Sequence, residues 1–103
     1  AANPDLVVVT GDFVEYFPSD ASFVAEKLAE LSPRLGVYGC LGNHDHKKDA
    51  AEIVRYLHAS GKMRVLINES TKLLPGLHIA GIDDTQTGRP DALVALQNVP
   101  PDA

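Results

Sequence analysis

Two short polar clusters carry the residue types that chemistry needs. Gly11-Asp12 follows the run Leu6 to Thr10, and Gly42-Asn43-His44-Asp45 follows the run Gly36 to Leu41. The carboxylate of Asp12 has two oxygens and can bridge two cations about 3.5–4 Å apart. The carboxamide oxygen of Asn43 is a neutral ligand that leaves a bound metal strongly Lewis acidic. His44, beside it, can donate a proton to a leaving alkoxide or hold a phosphoryl oxygen. Such an imidazole needs an oriented ring and a raised pKa, and a carboxylate such as Glu15 or Asp45 supplies both. These types suit metal-assisted reaction at phosphorus. Either cluster alone has a plainer account, since Gly-Asp makes turns and Asn and Asp cap helices.

The elements that must position them alternate in type. Leu6 to Thr10 is a β-branched run bounded by Pro4 and Gly11, read as a strand buried on both faces. A loop over 11–19 leads to a helix over about 20–31. Ser19 is its expected cap, and its apolar stripe is Phe23, Val24, Leu28 and Leu31. Pro33 ends that helix. The second run, 36–41, is a second strand, and the Asn-His cluster is read as the loop after it. A second helix is expected over about 49–60, with stripe Ala50, Ile53, Val54 and Leu57, closed by Gly61. Met63 to Ile67 is a third strand. Thr71 to Leu74 and Leu77 to Ile82 form a hairpin around Pro75-Gly76. A last helix is expected over about 91–97. Strands alternating with helices define an α/β class, βαβαβ followed by a β-hairpin, with a mainly parallel sheet. In such sheets ligands bind at the carboxyl ends of the strands. Asp12 and Asn43 both fall there, although 31 positions separate them.

Composition bounds the classes. The chain has 103 residues, enough for one domain at most, with 45% apolar and 22% charged residues. Nine basic residues stand against 14 acidic ones, a net charge of −5. No basic cluster exceeds Lys47-Lys48, which disfavours a nucleic-acid platform. An acidic chain can still handle phosphate where metal ions supply positive charge. No apolar run approaches the roughly 20 residues of a membrane span. Cys40 is the one cysteine, so no internal disulfide forms. A reducing, cytoplasmic location is therefore expected, with a membrane-peripheral parent as the alternative. The chain opens without Met just ahead of a strong strand and closes on Val99-Pro100-Pro101-Asp102-Ala103. Both ends read as cuts through a longer protein, so residues 1–103 are expected to be one partial domain.

Pro4-Asp5-Leu6-Val7-Val8-Val9-Thr10-Gly11-Asp12 followed by Leu41-Gly42-Asn43-His44-Asp45 resembles the calcineurin-like metallophosphoesterase superfamily. Leu77-His78-Ile79-Ala80-Gly81-Ile82-Asp83-Asp84 is similar, more weakly, to a sheet-crossing strand of its bacterial small-phosphoesterase branch. The resemblance implies a β-sandwich flanked by helices and a binuclear centre of Mn, Fe, Zn or Mg. Asp12 would bridge the two metals and Asn43 would ligate the second. His44 would be the catalytic histidine, supported by Glu15, where the family more often has Asp. The implied substrate is a phosphate ester: a phosphomonoester, a phosphodiester or a pyrophosphate. The family's Asp-x-His before Asp12 and its later Gly-His-x-His do not occur here, so this chain alone is expected to be inactive.

The remaining candidates have structural readings. Asp45 is expected to cap the following helix. His46 is read as a solvated loop histidine. His58 is placed near a helix end, where a cation suits the dipole. His78 is placed on a strand face. Asp83-Asp84 is read as an acidic turn. The alternative to an enzyme is a receiver-like regulatory module binding one Mg²⁺ through Asp12, Asp83 and Asp84.

Overall fold

The computed structural model describes residues 4–11, 13, 17, 19–59, 63–86 and 88–103, apart from the side chains at 29, 44 and 47. The elements run β1 (Val7–Val9), α1 (Asp20–Ala29), β2 (Val37–Gly39), α2 (Asn43–Lys48), α3 (Ala50–His58), β3 (Met63–Val65), β4 (Glu69–Leu74), β5 (Leu77–Gly81) and α4 (Ala92–Leu96). The α/β class is as expected: a parallel sheet ordered β1-β2-β3, then an antiparallel hairpin of β4 and β5. The order excludes the receiver-like alternative, because a receiver-type sheet places β1 between β2 and β3.

Side chains alternate across a strand, so one face of the parallel sheet takes Val7, Val9, Val37, Met63 and Val65. These pack with Phe13, Ala21, Ala25, Leu41, Ile53 and Leu57 into the core, with α1 and α3 supplying the helical share. The opposite face differs from the sequence reading. Val8 is 53% exposed, so β1 is not buried on both faces. A β-branched run satisfies a strand covered on one side as well as one covered on two.

The α1 stripe is rotated from its predicted position. Ala21 and Ala25 are buried and Val24 and Leu28 pack against them, whereas Phe23 is 62% exposed and Leu31 is also exposed. Small residues thus fill the buried face of α1, which packs against α3 and β3. Ser19 makes no side-chain cap. Asp20 does the comparable work, its Oδ2 accepting the Phe17 N–H at 3.1 Å. The α3 stripe is as predicted, with Ile53 and Leu57 fully buried. Gly61 lies outside the described residues.

The predicted loop after β2 is instead a helix. Asp49, at φ 107°, separates α2 from α3 with a left-handed backbone, a conformation Asp tolerates better than most residues. Its Oδ1 accepts the Glu52 N–H at 3.2 Å and caps α3. In the hairpin, Thr71 pairs with Ile79 and Lys72 with His78, placing His78 on a strand as expected. Asp91 caps α4 by accepting the Val94 N–H at 3.0 Å.

Candidate functional site

Parallel pairing sets the site. Val9 stands opposite Gly39, so β1 and β2 end at the same edge and their loops leave together. Gly11 has φ +111°, and a Cβ there would stand 2.4 Å from the Gly42 nitrogen. The two loops therefore meet backbone to backbone, with no room for a side chain at the contact.

Asp45 locks that meeting. It is fully buried. Its Oδ1 accepts the Phe13 N–H at 2.7 Å and its Oδ2 accepts the Gly42 N–H at 2.9 Å. Charge-assisted bonds of this kind are about twice as strong as neutral ones. One carboxylate thus holds the loop after β1, the loop after β2 and the first turn of α2. The sequence reading made Asp45 the cap of the helix after residue 49. It caps α2 instead, because the turn it begins is itself helical.

Asn43 opens α2 and is half-buried. Its carboxamide oxygen is a neutral ligand of the kind hard cations take. An amide oxygen on the turn where two convergent loops meet fits a metal site. His44 follows Asn43 in the same turn. Asp12 and Glu15 lie outside the described residues, although Gly11 and Phe13, on either side of position 12, are both tied to the 42–45 turn. Among the described residues no three His, Cys, Asp or Glu groups cluster as a metal site.

A second polar centre joins Asp83, read from the sequence as a turn acid, to His46, a pairing the sequence does not announce. Asp83, 8% exposed, accepts three bonds. His46 Nε2 lies 2.6 Å from Oδ1, the Asp84 N–H donates to Oδ1 at 2.9 Å, and the Arg89 N–H donates to Oδ2 at 2.9 Å. Burial pushes the Asp83 carboxyl upward, but the N–H groups of Arg89, His46 and Asp84 outweigh it and hold the group below its ordinary 3.8. Asp83 is therefore an anion and His46 Nε2 the donor. His46 is not a solvated loop histidine, and Asp83 is more than a turn acid. Asn68 completes the arrangement: Oδ1 accepts from Asp83 N and Asp91 N, and Nδ2 donates to the Arg89 carbonyl. Thirty-seven positions separate His46 from Asp83, and no local pattern announces the pair.

Two other candidates are structural. His58 Nε2 accepts the Val65 N–H at 3.0 Å, a role that needs an unprotonated ring nitrogen. It stands in the last turn of α3, near a helix end as expected, and ties that turn to β3. Burial, then the negative charges of Asp45 and Asp83, push the Cys40 thiol above 9.0 against its backbone hydrogen bond. It is a poor nucleophile.

The family model for calcineurin-like phosphoesterases matches residues 1–98. The chain is 36% identical over 102 residues to an uncharacterized metallophosphoesterase of Aquifex aeolicus strain VF5, covering 93% of this chain and 39% of that protein. It is 35% identical over 91 residues to a transmembrane protein with metallophosphoesterase domain of Danio rerio, covering 82% and 21%. It is 30% identical over 82 residues to an uncharacterized metallophosphoesterase of Campylobacter jejuni, covering 80% and 22%. No solved structure gives a significant match. This chain belongs to the calcineurin-like phosphoesterase family, whose members are in general metal-dependent hydrolases. It spans about two-fifths or less of the length of these relatives. No helix among its described residues is long and apolar enough to cross a membrane.

Proposed function

We propose that this chain supplies the Asp12 and Asn43 portion of a binuclear metal site in a phosphoesterase. Its substrate class is a phosphomonoester, a phosphodiester or a pyrophosphate. The observation that carries the reading is the backbone contact of Gly11 with Gly42, locked by Asp45 in the turn that bears Asn43. Divalent cations bound there, Mn, Fe, Zn or Mg, would supply Lewis acidity and an activated water. Asp12 would hold both cations and Asn43 the second. His44 would give a proton to the leaving oxygen, with Glu15 orienting its ring. Two ligands do not hold two metals, so the remaining ligands belong to other parts of the complete protein. The reading places that protein in the cytoplasm or at a membrane surface and makes residues 1–103 part of one larger domain.

The test uses the complete protein with p-nitrophenyl phosphate and its bis-ester as probes. Asp12→Asn is expected to abolish metal-dependent hydrolysis, and near-normal activity would end the bridging role. His44→Ala is expected to cut turnover far more than metal content. The isolated 103-residue chain is expected to be inactive, and robust metal-dependent turnover from it would overturn the need for outside ligands.

A further inference from the structure

We infer that His46, held by Asp83, is a positioning residue for the site turn: it sets the direction in which α2 presents Asn43 and His44. The inference rests on the phosphoesterase reading for its kinetic consequence, though not for its geometry.

Helix α2 has six residues, too few to be rigid alone, and Asp49 interrupts it before α3 begins. Its orientation must come from tertiary anchors. Asp45 is one, through its bonds to Phe13 and Gly42. His46 is another, through the 2.6 Å contact with Asp83. Consecutive helical residues point about 100° apart, so anchors at 45 and 46 fix both the rotation of the turn and its tilt. The backbone of Asn43 and His44 belongs to the same turn and moves with it.

The anchor point is itself immobilised. Asp83 is buried, with the Arg89 and Asp84 N–H groups on its oxygens. A Cβ at Gly88 would stand 2.4 Å from the Asp83 carboxyl carbon, so the loop closes tightly over the carboxylate. Asn68 fastens both Asp83 and Arg89 to the start of the hairpin. The tie thus joins the layer that carries the site to the hairpin layer. In the fixed pair Asp83 can only accept, so the Nε2 donor of His46 is what the contact requires. A glutamine amide nitrogen reaches a similar distance and donates as well.

The experiment compares His46→Ala and His46→Gln with wild type in the complete protein, metal-loaded, below the melting transition of each. A misplacement of about 1 Å costs on the order of 100-fold in turnover. H46A is expected to lose about 10- to 100-fold in kcat with KM within about threefold, and H46Q to keep kcat within about threefold of wild type. A merely structural residue would move the melting temperature and leave kcat alone. Full kcat in H46A, or an equal loss in both variants, overturns the inference. If H46A does not fold, H46Q carries the test, and a tenfold or greater loss there overturns it. If the wild-type protein hydrolyses no phosphate ester with any divalent metal, the functional reading fails separately. Amide exchange at residues 45 and 46 then decides: faster exchange in the variant lacking the donor supports the anchor, and unchanged exchange removes it.

Discussion

Phe13 and Asp45 meet across 32 positions of sequence, the backbone N–H of one donating to the buried carboxylate of the other at 2.7 Å. The second oxygen of that carboxylate takes the Gly42 N–H. Among the described residues, one side chain with two accepting atoms thus spans the junction of the two loops. Asparagine has the same shape and only one acceptor, so Asp45→Asn turns an amide N–H₂ toward a backbone N–H. The expected loss is about 2–4 kcal/mol of folding stability, measured by urea unfolding. A loss below about 0.5 kcal/mol, the scale of an ordinary surface substitution, would show that the junction holds without the carboxylate.

Gly11 should be more sensitive than another glycine with positive φ. Gly76 has φ +79° and nothing within 4 Å of where a Cβ would stand, so alanine there meets only backbone strain. Alanine at Gly11 meets strain and the Gly42 backbone together. Strain of this kind costs on the order of 1–3 kcal/mol. Gly11→Ala is expected to exceed Gly76→Ala by at least about 1 kcal/mol, read from paired unfolding curves. Equal costs would mean that the loops separate at no penalty.

Acid should weaken the Asp83 centre. Its folded pKa lies below the ordinary 3.8, because the N–H groups around it outweigh the opposing effect of burial. A depressed carboxyl pKa contributes stability above the unfolded value, and that contribution fades as pH falls through the folded one. Wild type should therefore exceed Asp83→Asn in stability by a margin that shrinks as pH falls below about 3.8. Urea unfolding at several pH values measures it. A margin that does not change with pH would contradict the assignment.

Cys40 should resist modification. Burial and the Asp45 and Asp83 charges hold the thiol protonated. Disulfide-exchange reagents at neutral pH are expected to label it at least about tenfold more slowly in the folded protein than in urea. Comparable rates would mean that the strand end opens readily.

The sequence made legible whatever repeats locally. Ile53 and Leu57 fall at helical spacing and are buried, and Pro75-Gly76 turns a hairpin. Gly11 and Gly42 were legible as site glycines because each ends an apolar run. Phe23 reads as core because it is large and apolar on a helix, whereas the buried face is made of the small Ala21 and Ala25. The α2 helix was invisible because Gly-Asn-His-Asp reads equally as a loop and as a capped first turn. The His46–Asp83 pair was invisible for another reason. It is created by the way two layers meet, and neither residue carries a local sign of its partner.

The left-handed Asp49 has one more consequence. It interrupts the helical ladder between the turn bearing Asn43 and the helix bearing Ile53 and Leu57. The same residue both ends α2 and caps α3, so residues 43–58 hold two helices in succession with no linker between them.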